Sequence, residues 1–282
     1  MSTTFLGHRL AAPVVIAGMT GGHERALEVN RNLAQAAAKL GIAIGTGSQR
    51  AALAAPALIP TYSVVREHAP DAVVIGNLGM CQLIPQGDEP PFGREEILSA
   101  VAMIEADLLA IHLNAVEELI QPEGDRSMRG ILAAIANCVA WSPVPVIAKE
   151  TGAGMTRESA ASLASCGVHG IDVGGVGGTS FARIEALRAR EAGDARGSRL
   201  GETFGDWGVP TALSIIEAST ADLPLIATGG VRNGLHAAKA IALGASLVGV
   251  GGPAIIAARS SADAVIEEMT LFLEELRVAM TL

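Results

Sequence analysis

Eight short apolar segments recur along the 282-residue chain, and amphipathic helical patterns separate them. The segments cover residues 14–17, 42–44, 72–75, 108–113, 144–148, 170–173, 225–227 and 246–250. Strands that alternate with helices form β–α–β units, and such units build a parallel sheet. Eight strands within roughly 250 residues match a closed barrel, whereas a doubly wound open sheet needs fewer strands or a longer chain. We therefore predict a single (β/α)8 TIM barrel over residues 1–282.

The helical patterns between the apolar segments predict most of the outer layer. The clearest ones cover residues 24–40, 94–105, 157–166, 234–243 and 262–279. The last of these helices would close the ring around the barrel. Residues 191–207, between the sixth and seventh apolar segments, are polar and contain glycine, so we predict a loop there. A loop of that length is typically a lid or a mobile segment.

Composition and charge exclude several classes of function. Hydrophobic residues make up 50% of the chain and aromatic residues only 3%, which indicates a core of small aliphatic side chains. A net charge of −9 argues against non-specific binding to nucleic acid or to an anionic membrane surface. The three cysteines are widely spaced and predict neither a disulfide framework nor a zinc site. We see no secretory signal and no apolar run near the ~20 residues of a spanning helix, so we expect a cytoplasmic protein.

Every predicted strand delivers polar residues or glycine to its carboxyl end, which is the catalytic face of a (β/α)8 barrel. Stability alone does not require such a pattern. In chain order the segments at this face are Gly18–Gly22, Gly45–Arg50, Gly76–Gly79, His112–Asn114, Lys149–Glu150, Asp172–Gly178, Gly229–Arg232 and Gly249–Pro253.

The sixth strand leads into GIDVGGVGGTSFARIE, residues 170–185, with four glycines in five positions. A glycine-rich turn that opens a helix brings backbone N–H groups close to an anion. A tight turn with Thr179 as the N-cap is the alternative. Four glycines favour a cradle for a phosphate or cofactor. The sequences GGVRNG at 229–234 and GVGGP at 249–253 match the barrel phosphate site, which follows strands seven and eight.

Charged and polar side chains near strands four and five are candidates for chemistry. Lys149 ends an apolar strand, where it could pair with Glu150 or an aspartate, or lie beside an electron-rich cofactor ring. His112 and Asn114 are two residues apart on a strand, so we predict that both point to one side as substrate contacts. Glu117 and Glu118 follow, either as solvated carboxylates or as ligands of a hard cation that also binds substrate phosphate.

Nine short motifs, taken together and in order, carry a resemblance that spans nearly the whole chain. They are MTGG (19–22), GSQR (47–50), GNLG (76–79), IHLN (111–114), QPEGD (121–125), KE (149–150), GGVGGTSFARIE (174–185), WGVPT (207–211) and GGVRNG (229–234). This ordered set resembles the FMN-dependent type 2 isopentenyl-diphosphate isomerase family. The resemblance implies an FMN-binding (β/α)8 barrel, usually a homo-oligomer, that interconverts isopentenyl and dimethylallyl diphosphates. It also implies that NADPH reduces the flavin, that the net reaction is redox-neutral, and that Mg2+ anchors the diphosphate.

The resemblance also implies roles for individual residues of this chain. The implied FMN contacts are Met19, Thr20, Ser48, Asn77, Lys149, Gly178, Thr179, Gly229, Gly230, Arg232, Gly251 and Gly252. The implied substrate contacts are Ser48, Gln49, Arg50, His112, Asn114 and Glu117, and the implied Mg2+ ligand is Glu118. We assign catalytic roles to His112, Asn114, Glu117 and Lys149, with Lys149 stabilising the negative charge of reduced FMN.

Two departures from the family pattern affect how substrate would be handled. The family has a basic N-terminal arm with an Arg-Lys pair and a histidine, whereas the first ten residues here offer only His8 and Arg9. The family has glutamine where this chain has Glu117. A carboxylate enclosed beside a diphosphate has a raised pKa and could act as a general acid. Alternatively, Glu117 turns to solvent and the loss of glutamine weakens activity.

Three other functions stay open from the sequence. A divergent isomerase could act on another substrate of isoprenoid metabolism. A flavin oxidoreductase of the 2-hydroxy acid oxidase type would need a histidine base, and His236, within a helical pattern, is the only histidine after the sixth strand. A relative that binds flavin without catalysis is the third alternative.

Overall fold

A closed barrel of eight parallel strands forms the centre of the molecule, as predicted. The structure is a computed structural model that describes residues 1–282. A short hairpin precedes the barrel, and strand β10 pairs with β3 to close it. The strands are β1 (Thr3–Phe5), β2 (His8–Leu10), β3 (Val14–Ile16), β4 (Ala43–Gly45), β5 (Val74–Gly79), β6 (Leu108–Leu113), β7 (Val146–Glu150), β8 (Gly170–Asp172), β9 (Leu225–Ala227) and β10 (Leu247–Val250).

Thirteen α-helices surround the barrel. They are α1 (Glu24–Leu40), α2 (Arg50–Ala54), α3 (Pro60–His68), α4 (Arg94–Met103), α5 (Ala115–Ile120), α6 (Ile131–Trp141), α7 (Arg157–Ser165), α8 (Phe181–Glu191), α9 (Ala195–Thr203), α10 (Thr211–Ala218), α11 (Gly234–Ala242), α12 (Gly252–Ala258) and α13 (Ala262–Thr281). None of these helices has both the length and the apolar character needed to cross a membrane.

The barrel interior is apolar at its amino-terminal end and polar at its carboxyl-terminal end. Inward-facing side chains such as Val15, Leu108 and Ile147 form a cluster with Phe5 and Leu10 of the β1–β2 hairpin. The hairpin therefore closes the opening at the amino-terminal end of the barrel. A second, larger cluster packs the outer faces of the strands against the helices. Because apolar side chains fill the amino-terminal end of the barrel interior, the space for a ligand lies at the carboxyl ends of the strands.

The predicted loop at residues 191–207 is wrong, because α9 occupies its centre. Asp194 caps this helix by accepting hydrogen bonds from the backbone N–H groups of Arg196 and Gly197. Gly201 lies against α8, where an added Cβ would stand 2.5 Å from the carbonyl oxygen of Ala182. Gly201, one of the glycines that suggested a loop, therefore allows the two helices to approach closely.

Strand β5 extends further toward the carboxyl end than predicted, whereas β7 ends at the predicted pair Lys149–Glu150. Strand β5 continues to Gly79 because it pairs with β6 up to His112. Strand β7 includes Lys149 and Glu150, which pair with His112 and Leu113. Inter-strand hydrogen bonding thus extends regular structure into residues whose polarity and glycine content suggested loops.

Candidate active site

A cavity of about 1190 Å³ opens at the carboxyl ends of the barrel strands. Most of the residues predicted to contact FMN or substrate line it. These are Met19, Ser48, Asn77, His112, Glu117, Lys149, Gly178, Thr179, Gly229, Gly230, Arg232, Gly251 and Gly252. The fold thus brings together residues from widely separated parts of the chain at one concave site.

Three neighbouring strands place His112, Lys149 and Asp172 side by side at the mouth of the barrel. His112 is in register with Lys149, and Lys149 is in register with Asp172. The Nζ of Lys149 lies 3.1 Å from Oδ2 of Asp172 and donates to the carbonyl oxygen of Glu150 at 3.2 Å. The ion pair with an aspartate, one of the two interpretations of Lys149, is present and leaves Lys149 in the cavity lining.

The hydrogen bonds of Asn77 fix the tautomer of His112. The Nδ2 of Asn77 donates to the carbonyl oxygen of Thr46, so the Oδ1 of Asn77 is the atom that lies 2.7 Å from Nδ1 of His112. The Nδ1 of His112 must therefore donate, and its Nε2 carries the lone pair. Burial, together with the positive charge of Lys149, lowers the pKa of His112 to about 4. His112 is thus a neutral hydrogen-bond acceptor near pH 7.

Glu117 lies at the edge of the cavity in a partly enclosed position. Burial raises the pKa of its carboxyl group, and the neighbouring charges of Glu118 and Glu185 act in the same direction. A hydrogen bond from Asn114 at 3.3 Å and the charge of Arg188 oppose this shift. The net result is a carboxyl group that holds its proton at higher pH than an ordinary glutamate.

Asn114 does not follow the predicted strand alternation with His112. Strand β6 ends at Leu113, and Asn114 is the N-cap residue of the short helix α5. Its Nδ2 donates to Oε1 of Glu118 at 2.8 Å and to Glu117, while its buried Oδ1 has no partner. Asn114 is therefore outside the main cavity lining and holds the two carboxylates in place.

The carboxylate of Glu118 is buried and already accepts three hydrogen bonds. The donors are Nδ2 of Asn114, Nε2 of Gln121 and the backbone N–H of Asp125, each at 2.8 Å. No group of three or more His, Cys, Asp or Glu side chains is arranged to hold a metal ion. A cation bound by Glu118 would therefore depend on substrate oxygens and water for its other ligands.

Besides Asn114 and Glu118, three more residues predicted as ligand contacts lie outside the cavity lining. Gln49 is fully buried, donates to the carbonyl oxygen of Ala100 at 2.8 Å and accepts from the backbone N–H of Asn77. Gln49 therefore ties α4 to β5 through both ends of its amide. Its role as a substrate contact stays a prediction. Thr20 contributes its carbonyl oxygen to Gly47.

Arg50, the third of these residues, begins α2. Its side chain is 58% exposed, and its guanidinium lies 4.0 Å from Asp125. This position is compatible with both interpretations of Arg50, a counter-charge for a diphosphate and a solvent-facing residue. His236, which the oxidase alternative would need as a base, is not in the cavity lining and accepts from the backbone N–H of Arg232.

The glycines of the loops that line the cavity have two different roles. An added Cβ at Gly178 would lie 2.9 Å from the backbone nitrogen of Gly230, so the two glycine-rich loops need these residues in order to pack together. Gly252 is different, because a Cβ there would meet no atom within 4 Å. Ser180, and not Thr179, is the N-cap of α8, which leaves Thr179 in the cavity lining.

Two residues to which the sequence predictions assign no ligand contact also line the cavity. Thr228, after β9, lines the cavity with a buried hydroxyl group that has no hydrogen-bond partner. Glu150 accepts the backbone N–H groups of Gly152, Ala153 and Gly154 on one oxygen, at 2.6–3.1 Å. Two closely spaced glycines after a strand-end glutamate were the available signal for this anion nest.

The donor set of the cavity fits a phosphate-bearing aromatic cofactor such as FMN. The open cradle at Gly252, the unpartnered hydroxyl of Thr228 and the cationic side chains of Lys149 and Arg232 all face one cavity. Arg232 is held there by a hydrogen bond to the carbonyl oxygen of Gly177 at 3.0 Å. Hydroxyl, backbone and cationic donors suit phosphate and ring carbonyl oxygens.

Comparison with known proteins places the chain in a family. Residues 111–282 match the family model described as FMN-dependent dehydrogenase. The isopentenyl-diphosphate delta-isomerase of Methanosarcina acetivorans is 49% identical over 282 residues, which are all of this chain and 75% of that protein. The corresponding protein of Methanothermobacter thermautotrophicus is 47% identical over 283 residues, with 100% and 76% coverage.

A solved structure supports the fold alone. The crystal structure of mandelate oxidase superposes with a TM-score of 0.64 over all of this chain and 77% of that chain, at 17% sequence identity. Identity near one half over the full length is far stronger evidence of kinship than this shared architecture. The chain therefore belongs to the FMN-dependent type 2 isopentenyl-diphosphate delta-isomerase family.

Proposed function

We propose that this protein isomerises a prenyl diphosphate in an FMN-dependent, net redox-neutral reaction, with isopentenyl and dimethylallyl diphosphates as the pair. The observation that carries the proposal is the identity of 45–49% along nearly the whole chain to relatives named isopentenyl-diphosphate delta-isomerase. The proposal treats residues 1–282 as one FMN-binding barrel domain. It includes a cytoplasmic homo-oligomer and NADPH as reductant, which rest on the family resemblance.

The cavity residues divide into a cofactor side and a substrate side. We infer that Arg232, Thr228 and the glycine loops bind the phosphate and ribityl oxygens of FMN, with Lys149 and Asn77 toward the ring. The other predicted contacts on this side are Met19, Ser48, Thr179, Gly229, Gly230, Gly251 and Gly252. Reduced FMN would supply acid–base chemistry at its N5 atom. The substrate would then lie toward His112 and Glu117.

The substrate-side residues differ in their protonation. The carboxyl group of Glu117 has a raised pKa and can hold a proton near the allylic carbons, whereas Nε2 of neutral His112 can only accept a hydrogen bond. We infer that Glu117 donates a proton to the double bond. Asn114 holds the carboxylates of Glu117 and Glu118 together, and Glu118 would contribute one oxygen to Mg2+ beside the diphosphate.

The decisive experiment follows the allylic protons. Protein reconstituted with FMN is reduced by dithionite without oxygen and incubated with Mg2+ and either diphosphate in deuterated water. The expected result is formation of the other isomer, with deuterium in both recovered compounds. Samples with oxidised FMN or with the metal chelated are the controls and should exchange far less. An absence of exchange in the reduced, FMN-loaded protein contradicts the proposal.

The same samples test the oxidase alternative, whose support is the shared fold. A 2-hydroxy acid oxidase would bleach its own oxidised FMN when a hydroxy acid is added without oxygen. We expect no bleaching, because the only late histidine, His236, lies outside the cavity lining.

A further inference from the structure

Asp172 is a buried carboxylate at the mouth of the barrel, and each of its two oxygens has a different polar partner. It is the last residue of β8, and its side chain is 6% exposed. One oxygen pairs with the ammonium group of Lys149, and the other accepts from the backbone N–H of Gly174 at 3.3 Å. Asp172 therefore connects Lys149 to the first glycine of the glycine-rich loop.

The ammonium group of Lys149 is held by acceptors on two strands. Asp172 on β8 is its only salt-bridge partner, and the carbonyl oxygen of Glu150 on β7 is its other acceptor. An ammonium group has three donors, so one remains for a ligand in the cavity that Lys149 lines. A lysine side chain is flexible when free, and two fixed acceptors select one of its conformations.

We propose that Asp172 is a positioning residue, which fixes the ammonium group of Lys149 toward the flavin and stabilises its charge in the buried mouth of the barrel. The inference rests on the proposed function, because it places FMN in the cavity. Asp172 would act on the flavin only through Lys149. The competing explanation is that Asp172 acts directly, as a negative charge close to the ring.

The two explanations predict opposite effects of Asp172→Asn. If Asp172 positions Lys149, its loss removes the only salt-bridge partner of the ammonium group, which is then free to move away from the flavin. The positive charge of Lys149 is then no longer held beside the flavin, and the Lys149→Met variant lacks that charge altogether. If Asp172 acts directly, removing its negative charge makes the surroundings of the flavin more positive. The sign of the change in flavin properties therefore separates the two.

Sulfite binding to oxidised FMN reports this sign without turnover. Sulfite forms a bond from its sulfur to N5 of the flavin, and the electron pair displaced into the ring leaves a negative charge near N1. Positive charge at the site therefore tightens sulfite binding. We expect Asp172→Asn and Lys149→Met each to weaken it on the order of tenfold, the usual scale for a hydrogen bond to a charged group. The double variant should be no weaker than Lys149→Met alone.

The protein without FMN offers a second readout, because the chain has only three lysines, Lys39, Lys149 and Lys239. With carbon-13 in the lysine ε-methylene groups, Lys149→Met identifies the signal of Lys149. A fixed side chain gives two resolved ε-proton shifts, whereas a freely rotating one gives a single averaged shift. We expect two shifts in the natural protein, averaging in Asp172→Asn, and recovery of two shifts in Asp172→Glu if the longer carboxylate reaches the ammonium group.

Tighter sulfite binding in Asp172→Asn, or a further loss in the double variant, would overturn the inference. If Asp172→Asn does not fold but the double variant folds and behaves like Lys149→Met, the inference is supported, because the unpaired ammonium group is then the defect. If neither folds, Asp172 serves the fold independently of Lys149 and the inference is wrong. Failure of the natural protein to bind FMN would instead refute the proposed function.

Discussion

At the scale of single residues, Glu117 combines enclosure with neighbouring negative charge. Its carboxyl group lines the cavity, and burial raises its pKa. A general acid must be protonated to work, so the rate should fall as the pH rises through the pKa of Glu117. The raised pKa moves this limb of the profile toward neutral pH, where the enzyme would operate.

We expect Glu117→Gln to lower the isomerisation rate on the order of 10²-fold and to flatten the high-pH limb of the profile. The amide keeps the shape of the side chain but has no acidic proton. Rates measured between pH 5.5 and 9 with reduced FMN give the result. The exposed carboxylate Glu123, paired with Arg188, provides the control Glu123→Gln. A variant with the natural rate and profile would show that the proton comes from elsewhere.

Glu150 couples protonation to stability. Burial raises its pKa from the ordinary 4.5 to about 7, although three backbone N–H bonds and Lys149 lower it. A raised folded-state pKa means that the protonated form is favoured in the folded protein. Its stabilising contribution is complete below pH 4.5 and is lost as the pH rises through about 7.

Glu150→Gln should remove this pH dependence, because the amide oxygen can still accept the backbone N–H groups but cannot ionise. We compare the free energy of unfolding of the variant with that of the natural protein. The difference should shift in favour of the variant by on the order of 3 kcal/mol as the pH rises from 4.5 to 8. Denaturant unfolding of both proteins at several pH values measures the difference. A difference that stays constant with pH would contradict the assignment.

At the scale of elements, α8 and α9 show how packing overrides helix propensity. Both helices are charged on their outer faces, and α9 contains glycines at 197 and 201. Glycine costs about 1 kcal/mol relative to alanine inside a helix. Here the missing Cβ atoms allow contact, since Gly201 faces the carbonyl oxygen of Ala182 and the side chain of Ala186 on α8.

Gly201→Ala should therefore destabilise the protein even though alanine is the better helix former. The added methyl group would meet backbone at 2.5 Å, and overpacking of this kind costs roughly 1–3 kcal/mol. The exposed Arg199 on the same helix gives a matched control, since Arg199→Ala should change stability within about 0.5 kcal/mol. Thermal and denaturant unfolding provide the numbers, and a stabilised Gly201→Ala variant would refute the packing argument.

At the scale of the whole molecule, cofactor binding and stability are linked. A ligand that binds only the folded state adds about 2.7 kcal/mol at 100 times its dissociation constant. Gly252 allows an effect on FMN binding to be separated from an effect on the stability of the protein alone, because a Cβ added there meets no atom of a residue elsewhere in the chain within 4 Å. The added side chain would instead occupy space that we assign to FMN.

We expect Gly252→Val to unfold at nearly the same temperature as the natural protein when FMN is absent. Added FMN should raise the unfolding temperature of the natural protein with increasing concentration and leave that of the variant almost unchanged. The yellow colour retained after gel filtration is an independent measure of binding. Equal stabilisation of both proteins by FMN would place the cofactor away from Gly252.

The sequence alone determined the barrel and the face on which the site lies. Strand and helix periodicities are local properties, so eight alternating units could be counted without knowing any contact. The carboxyl ends of parallel strands necessarily meet at one face, and so the residues at the ends of the apolar segments, such as His112 and Lys149, could be grouped there. The predicted roles of these residues in binding and catalysis stay predictions.

Only the tertiary structure decided which polar atoms are free and which are already bonded. Gln49 was a predicted ligand contact, yet both ends of its amide are bonded to partners far away in the sequence. The carboxylate of Glu118 already accepts three hydrogen bonds from nearby residues of its own segment. The sequence leaves open whether Lys149 pairs with Glu150 or with an aspartate, and the register of β8 with β7 makes Asp172 that partner. Burial and hydrogen bonding depend on neighbours that folding brings together, and residue type and spacing do not contain that information.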